Sequence, residues 1–448
     1  MKTWIKNPLQ VLLPEGAASC DLVIEDHRIS VLLPAGTKPD TEVDQVFDAT
    51  DCVITPGLIN THHHYYQTLT RAFPGALNKE LFPWLKSLYP VWAGLNDDMI
   101  RLSTRLASVE LMLSGCSTSV DHHYVFPEKS RHALDVQVEA VAGLGLRSLL
   151  TRGSMSLGED QGGLPPQSTV QREETILEDS ERVINRYHDA GENSFLQVAL
   201  APCSPFSVSE SLMRESAALA RRFGVRLHTH LAETHDETEY CLRVTGLRPL
   251  DYLEKVDWLA SDVWLAHGIH FEADEIRRLG KAGTGISHCP SSNMVLASGI
   301  CPTLELERAG CAVGLGVDGS ASNDGSNMIQ EVRQALLLQR LRYGAAGMTH
   351  LDAWRFASQG SAACIGRPEL GEIRPGAVAD LAFFRLDELR FSGAGDALAA
   401  LLLCGANQVE HLMIGGSWAV REGQLPNFDL EEMKRDHRTH ARRLTQLP

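Results

Sequence analysis

Hydrophobic positions along the chain fall into two regimes. Near the start, residues 22–32 and 46–49 form short apolar runs with loose alternation, the first turning at Glu25-Asp26. Near the end, residues 379–384 and 409–414 have the same texture, the latter turning at Gly415-Gly416. Such runs, bounded by polar turns, predict short β-strands at both ends of the chain. The middle is different. Short apolar runs occur around 53–61, 118–121, 146–151, 197–201, 225–229, 263–266, 284–287 and 312–317. Between them lie longer stretches, such as 99–114 and 210–223, whose apolar residues recur at spacings of three and four, the period of a helix. Strands alternating with helices predict βα units around a parallel sheet, and eight of them predict an α/β fold of the (β/α)8 TIM-type barrel. A doubly wound open sheet competes, but no GxGxxG follows an early strand. Residues 429–444 read as a charged amphipathic C-terminal helix with a solvated Lys/Arg face.

Composition narrows the function classes. The 448 residues carry 41 Lys+Arg against 57 Asp+Glu, a formal charge of −16, with 44% hydrophobic and 22% charged residues. That is a globular composition with material for a sizeable core. The acidic balance argues against nucleic acid as a partner, since binding to phosphate backbones is largely a Lys/Arg contribution. None of the ten cysteines forms a CxxC pair, so reduced, buried thiols are expected. The early apolar stretch is broken by Pro8 and Pro14 and is too short for a signal-peptide core. No run approaches the length of a spanning helix. A cytoplasmic protein with no membrane association is expected.

The 18 histidines change the picture, because several stand at the ends of the predicted barrel strands. In a parallel barrel the chemistry gathers at the C-terminal ends. The first strand ends Asn60-Thr61-His62-His63-His64. Side chains i and i+2 of an extended segment share a face, so His62 and His64 can address one ion while His63 points away. The fifth strand carries His228-Thr229-His230-Leu231-Ala232-Glu233. His230 lies at its end, His228 lies one pair deeper and reads as structural, and Glu233 is in reach of a metal-bound water as a proton shuttle. The sixth strand ends Ala266-His267-Gly268 and the eighth Val317-Asp318-Gly319. His62, His64, His230 and Asp318 make three imidazoles and a carboxylate, suitable ligands for Zn2+ or Fe2+ with a position left for water.

These segments, with Ser287-His288-Cys289-Pro290-Ser291-Ser292-Asn293 and Gly316-Val317-Asp318-Gly319-Ser320-Ala321-Ser322-Asn323, resemble the amidohydrolase superfamily over nearly the whole chain. The resemblance implies a barrel over residues 57–370 and a small β-sandwich domain built from both termini, 1–56 plus 371–448, with the C-terminal helix. The fourth strand has no Lys among residues 197–205, which resembles the mononuclear deaminase and chlorohydrolase branch. That branch implies one divalent metal per subunit, zinc first and iron second, held by His62, His64, His230 and Asp318. Asp318 and His267 would help deprotonate the water, and Glu233 would protonate the ring nitrogen beside the departing amine.

For the substrate, Gln67 matches a residue that relatives use on a purine edge, Trp84 lies in the insertion after the first strand where a ring could stack, and Arg152 ends the third strand. Cys203 stands where nucleoside deaminases of the branch tend to carry His, which favours a free base. Residues 151–155, 162–166 and 201–207 resemble bacterial members acting on 8-oxoguanine and hydroxylated triazines. The expectation is therefore 8-oxoguanine plus water giving urate and ammonia, in a homo-oligomer. Guanine, isoxanthopterin and hydroxyatrazine are the competing substrates. A catalytically inactive scaffold barrel is the reading of another class, and the complete ligand set with Glu233 argues against it. His122, His123 and His288 receive no role.

Overall fold

The computed structural model describes residues 1–426 and 428–446. Eight parallel strands close into a barrel: Leu58–Asn60, Cys116–His123, Arg147–Ser154, Leu196–Pro202, Leu227–Leu231, Val263–His267, Gly285–His288 and Val313–Leu315. Leu315 opposite Asn60 closes the ring. Seven of the strands are buried at every position, as expected where side chains fill the interior and helices cover the outside.

Local chemistry sets the helix ends. The helix Asp97–Leu113 begins where the Asn96 side chain accepts from Met99 N at 3.0 Å. The helix Glu210–Phe223 is capped by Ser209 and stops at Gly224, whose left-handed φ of 67° needs no Cβ. Asp429 caps the C-terminal helix Leu430–Thr445 in the same way. The Lys and Arg residues of that helix are exposed, as expected, while the other face buries Met433 and Leu444, and His437 Nε2 meets Thr68 Oγ1 at 3.1 Å.

The apolar run 53–61 is two strands. Cys52–Pro56 pairs with Leu381–Arg385 outside the barrel, and Leu58–Asn60 opens the barrel itself. The turn between them is Gly57, where a Cβ would lie 2.4 Å from Ser117 Oγ. The two chain ends form a four-stranded sheet from the N-terminal region and a six-stranded sheet from both ends. Ile5, Leu22, Ile54, Leu381, Phe383 and Met413 share one core between these sheets. Arg147, at the base of the third barrel strand, joins this sandwich to the barrel. Its Nε donates to Asp380 Oδ2 at 2.8 Å, Nη1 to Asn193 O at 2.9 Å and Nη2 to Asn193 Oδ1 at 2.7 Å.

Candidate metal centre and cavity

The first barrel strand delivers His62 and His64 to the barrel mouth on one face, and His63 turns away to Ser326 Oγ at 2.9 Å. The eighth strand is tied to the first by Asn60 Oδ1, which accepts from Val317 N at 2.9 Å, and by Asp318 N, which donates to His62 O at 3.0 Å. Three non-glycine residues at this mouth have left-handed backbone: Ala232 at φ 54°, His267 at 74° and Asp318 at 62°. Such conformations cost about 1–3 kcal/mol each and gather where side chains must be aimed.

Four atoms converge. His62 Nε2 and His64 Nε2 each lie 3.3 Å from Asp318 Oδ1, and His64 Nε2 lies 3.2 Å from His230 Nε2. His64 Nδ1 donates to His122 O at 2.7 Å and His230 Nδ1 to Cys203 O at 2.7 Å. A carbonyl only accepts, so the proton of each neutral ring sits on Nδ1 and each Nε2 presents a bare lone pair. Burial pushes the pKa values of His62, His64 and His230 down, which keeps these rings neutral. Lone pairs facing one another with a carboxylate oxygen repel unless a cation lies between them. His62 Nε2 is buried with no hydrogen-bond partner. Tetrahedral coordination at about 2.0–2.1 Å separates ligand atoms by about 3.3–3.4 Å, which matches the observed spacings. The residues fit one divalent metal ion.

Beside these atoms stand Glu233 and His267. His267 Nε2 is 3.4 Å from Glu233 Oε2 and 3.9 Å from Asp318 Oδ2, and its Nδ1 is fixed on Asn293 Oδ1 at 3.0 Å. Burial raises the Glu233 carboxyl to about 7, with His267 opposing the shift. Burial also works against a charged His267, but Glu233 and Asp318 carry its pKa above the ordinary value. Glu233 N is held at 2.9 Å by the carboxylate of Glu237, which is itself buried and pushed up by burial to about 8. A carboxyl and an imidazole with pKa values drawn towards neutrality are suited to moving a proton.

A cavity opens above this floor. Gln67, Trp84, Cys203, Glu233, His267 and Asp318 all line it. Gln67 Oε1 accepts from Ala321 N at 3.3 Å, and Trp84 Nε1 donates to Ala321 O at 3.1 Å. One residue of the loop after Asp318 thus holds both side chains. With Oε1 engaged, Gln67 offers its amide hydrogens. Leu81, Leu85, Phe206 and Leu296 give apolar walls, and Tyr89 and Tyr124 add hydroxyls. Burial pushes the Cys203 thiol to about 12, so it is a neutral wall group.

Arg152 does not reach the cavity. Its side chain turns to the outside of the barrel, where Nε donates to Asp179 Oδ2 at 2.6 Å and Nη2 to Gln171 Oε1 at 3.0 Å, with the guanidinium 3.9 Å from the Phe126 ring centroid. His122 lies behind His230, its ring stacked at 4.8 Å and its Nε2 on Ala201 O at 3.0 Å. His123 packs edge-on against Tyr66 and Phe126, and His288 meets Gln339 Nε2 at 3.0 Å. The sequence reading missed the contacts of Asn293, Glu237 and His228. Asn293 had a signal, the Ser-His-Cys-Pro-Ser-Ser-Asn segment; Glu237, four residues after Glu233, had only its spacing.

Comparison with known proteins agrees with this geometry. The amidohydrolase family profile matches residues 53–419. The chain is 59% identical over 441 residues to an 8-oxoguanine deaminase of Pseudomonas aeruginosa, covering 98% of each chain. It is 37% identical over 426 residues to an isoxanthopterin deaminase from an unknown prokaryotic organism, covering 90% of this chain and 87% of that one. An atrazine chlorohydrolase from Arthrobacter aurescens, solved in complex with zinc, superimposes with a TM-score of 0.93 at 29% identity, over 98% of this chain and 100% of that one. By barrel, by converging ligands and by these likenesses, the chain belongs to the amidohydrolase family, as a hydrolase of C–N bonds of the deaminase kind.

Proposed function

We propose that the protein hydrolyses 8-oxoguanine to urate and ammonia, with zinc as its metal. The convergence of three bare imidazole nitrogens on Asp318 Oδ1, beside the Glu233–His267 pair, supports hydrolytic deamination. The choice of 8-oxoguanine is carried by the 59% identical relative.

His62, His64, His230 and Asp318 would hold the metal ion. When bound, the ion lowers the pKa of a water towards neutrality and so supplies the nucleophile. The chain's own residues do the rest. His267, fixed through Nδ1 on Asn293, turns Nε2 towards the space between Glu233 and Asp318 and orients the attacking oxygen. Glu233 takes the water's proton on Oε2 and passes it to the ring nitrogen next to the amine-bearing carbon. The same carboxylate then takes the remaining proton of the attacking oxygen and delivers it to the amine, which leaves as ammonia while that carbon becomes a carbonyl. Gln67 donates its amide hydrogens to an acceptor on the base, and Trp84 with the apolar walls accepts the flat heterocycle. The neutral Cys203 thiol closes the wall without blocking a free base. Arg152, spent on Asp179 and Gln171, has no part in this account.

The test is a set of specificity constants on the zinc-loaded protein for 8-oxoguanine, guanine, isoxanthopterin and hydroxyatrazine, read by amine release and by urate absorbance. The value for 8-oxoguanine is expected to lead. Negligible turnover of 8-oxoguanine by metal-loaded protein would overturn the proposal. Equal uptake and activity with Fe2+ would overturn the choice of zinc.

A further inference from the structure

His64 and His230 settle their tautomers on backbone carbonyls, but His62 does not. Its Nδ1 meets the Nε2 of another side chain, His228, at 2.8 Å. A hydrogen bond between two imidazoles has a direction, and here the far end fixes it. His228 Nδ1 lies 2.8 Å from Trp264 O, which can only accept, so Nδ1 carries the proton. A neutral imidazole carries a single proton, and this contact places that of His228 on Nδ1. Its Nε2 is then an acceptor, His62 Nδ1 must donate to it, and His62 Nε2 is left bare.

The arrangement is also braced mechanically. The His228 ring stacks on the Trp264 indole with centroids 4.3 Å apart and planes 12° from parallel. Trp264 Nε1 in turn donates to Thr61 O at 3.1 Å, on the residue before His62. The loop from Thr61 through His62, His228 and Trp264 back to Thr61 is closed.

We propose that His228 is a positioning residue that fixes the tautomer and ring orientation of His62 and thereby sets the metal affinity of the site. The inference rests on the reading of the four converging atoms as a metal site. A histidine that only filled the core would be replaceable by an apolar side chain without consequence for the metal. A histidine that directs His62 would not, and partners of this kind are worth about 10–100-fold in metal affinity.

The experiment compares wild type, H228F and H228Q. Zinc affinity is measured by competition with a chromophoric chelator, the cobalt-loaded proteins are compared by visible absorption, and far-UV circular dichroism checks the fold. Phenylalanine keeps the stacking and removes the acceptor; glutamine returns an acceptor for His62 Nδ1–H. Zinc affinity is expected to fall 10- to 100-fold in H228F and to recover most of that loss in H228Q. The cobalt spectrum should change only in H228F, and H228F turnover should return at saturating zinc. If H228F does not fold, H228L makes the same comparison against H228Q. Affinity within threefold of wild type in the folded apolar variant, or H228Q no better than that variant, would overturn the assignment. Wild-type protein that takes up neither zinc nor iron would overturn the metal-site reading and this inference with it.

Discussion

Gly319 provides a way to test Gln67 without touching it. A Cβ at Gly319 would fall 1.8 Å from Gln67 Oε1 and 2.3 Å from its Cδ. Those distances are far inside contact, so in G319A the carboxamide must leave its place on Ala321 N. The backbone at 319 is not left-handed, so alanine adds no strain of its own. If Gln67 donates to the base, displacement strips one hydrogen bond from a buried site and leaves the substrate acceptor unpaired. Such a loss costs about 1–3 kcal/mol, or about 5- to 150-fold in kcat/KM for 8-oxoguanine. G319A should therefore resemble Q67A. The double variant should be no worse than either single one, because the methyl then has no carboxamide to displace, giving a coupling of about 1–3 kcal/mol. Gly319 N also donates to Asp318 Oδ1 at 2.7 Å, so metal content is measured on each protein. A fully metallated G319A with wild-type kcat/KM, or a double variant whose losses simply add, would refute the role of Gln67.

Other perturbations probe the remaining parts. E233Q, isosteric and uncharged, should lower kcat by about 10²- to 10⁴-fold with metal content and KM little changed; full turnover in a metallated E233Q would exclude the proton shuttle. Dialysis against a chelator should abolish ammonia release and lower the melting temperature, and added zinc should restore both. Glu237 has a folded pKa of about 8, raised by burial from an ordinary carboxyl value, so the folded state holds its proton where the unfolded state has lost it. Its stabilisation is fully present below the unfolded pKa near 4.5 and is lost as pH rises through about 8; melting curves of E237Q between pH 5 and 9 should fall less steeply than those of wild type. R147M leaves Asp380 buried with its guanidinium partner gone and should cost about 3–5 kcal/mol in urea unfolding; a change under 1 kcal/mol would show that the ion pair is dispensable.

The convergence of His62, His64, His230 and Asp318 was legible in the sequence because extended backbone makes it so. In Asn60-Thr61-His62-His63-His64 a period of two puts His62 and His64 together whatever surrounds them, and a barrel brings strand ends to one place. The errors arise where that period loses its meaning. Arg152 lies in a strand buried at all eight positions, Arg147–Ser154. When interior and helix-facing sides are both apolar, hydrophobicity no longer says which way a residue points. The sequence reading put Arg152 at the correct strand end but on the wrong face, and its real partner is Asp179 on the following helix. His122 and His123 share the same ambiguity in Cys116–His123, another wholly buried strand. The run at 53–61 hid its break for a related reason: both halves are apolar, and only Pro56-Gly57 marks where the chain leaves one sheet for another.

His228 is a case of another kind: its face was read correctly, and its contact with His62 was not. It sits one pair below His230 on the same strand, and that position alone is what a core histidine would have. What distinguishes it is a contact with His62, 166 residues away, and no local pattern encodes that pairing. The general point is directional. Ligand residues can be read from spacing because several must share one face at one strand end. The groups that orient them need only a single hydrogen bond each, so a backbone carbonyl serves for His64 and His230 and leaves no trace in the sequence. Only where the orienting group is itself a side chain, as for His62, does the sequence contain it at all, and there substitution can test it.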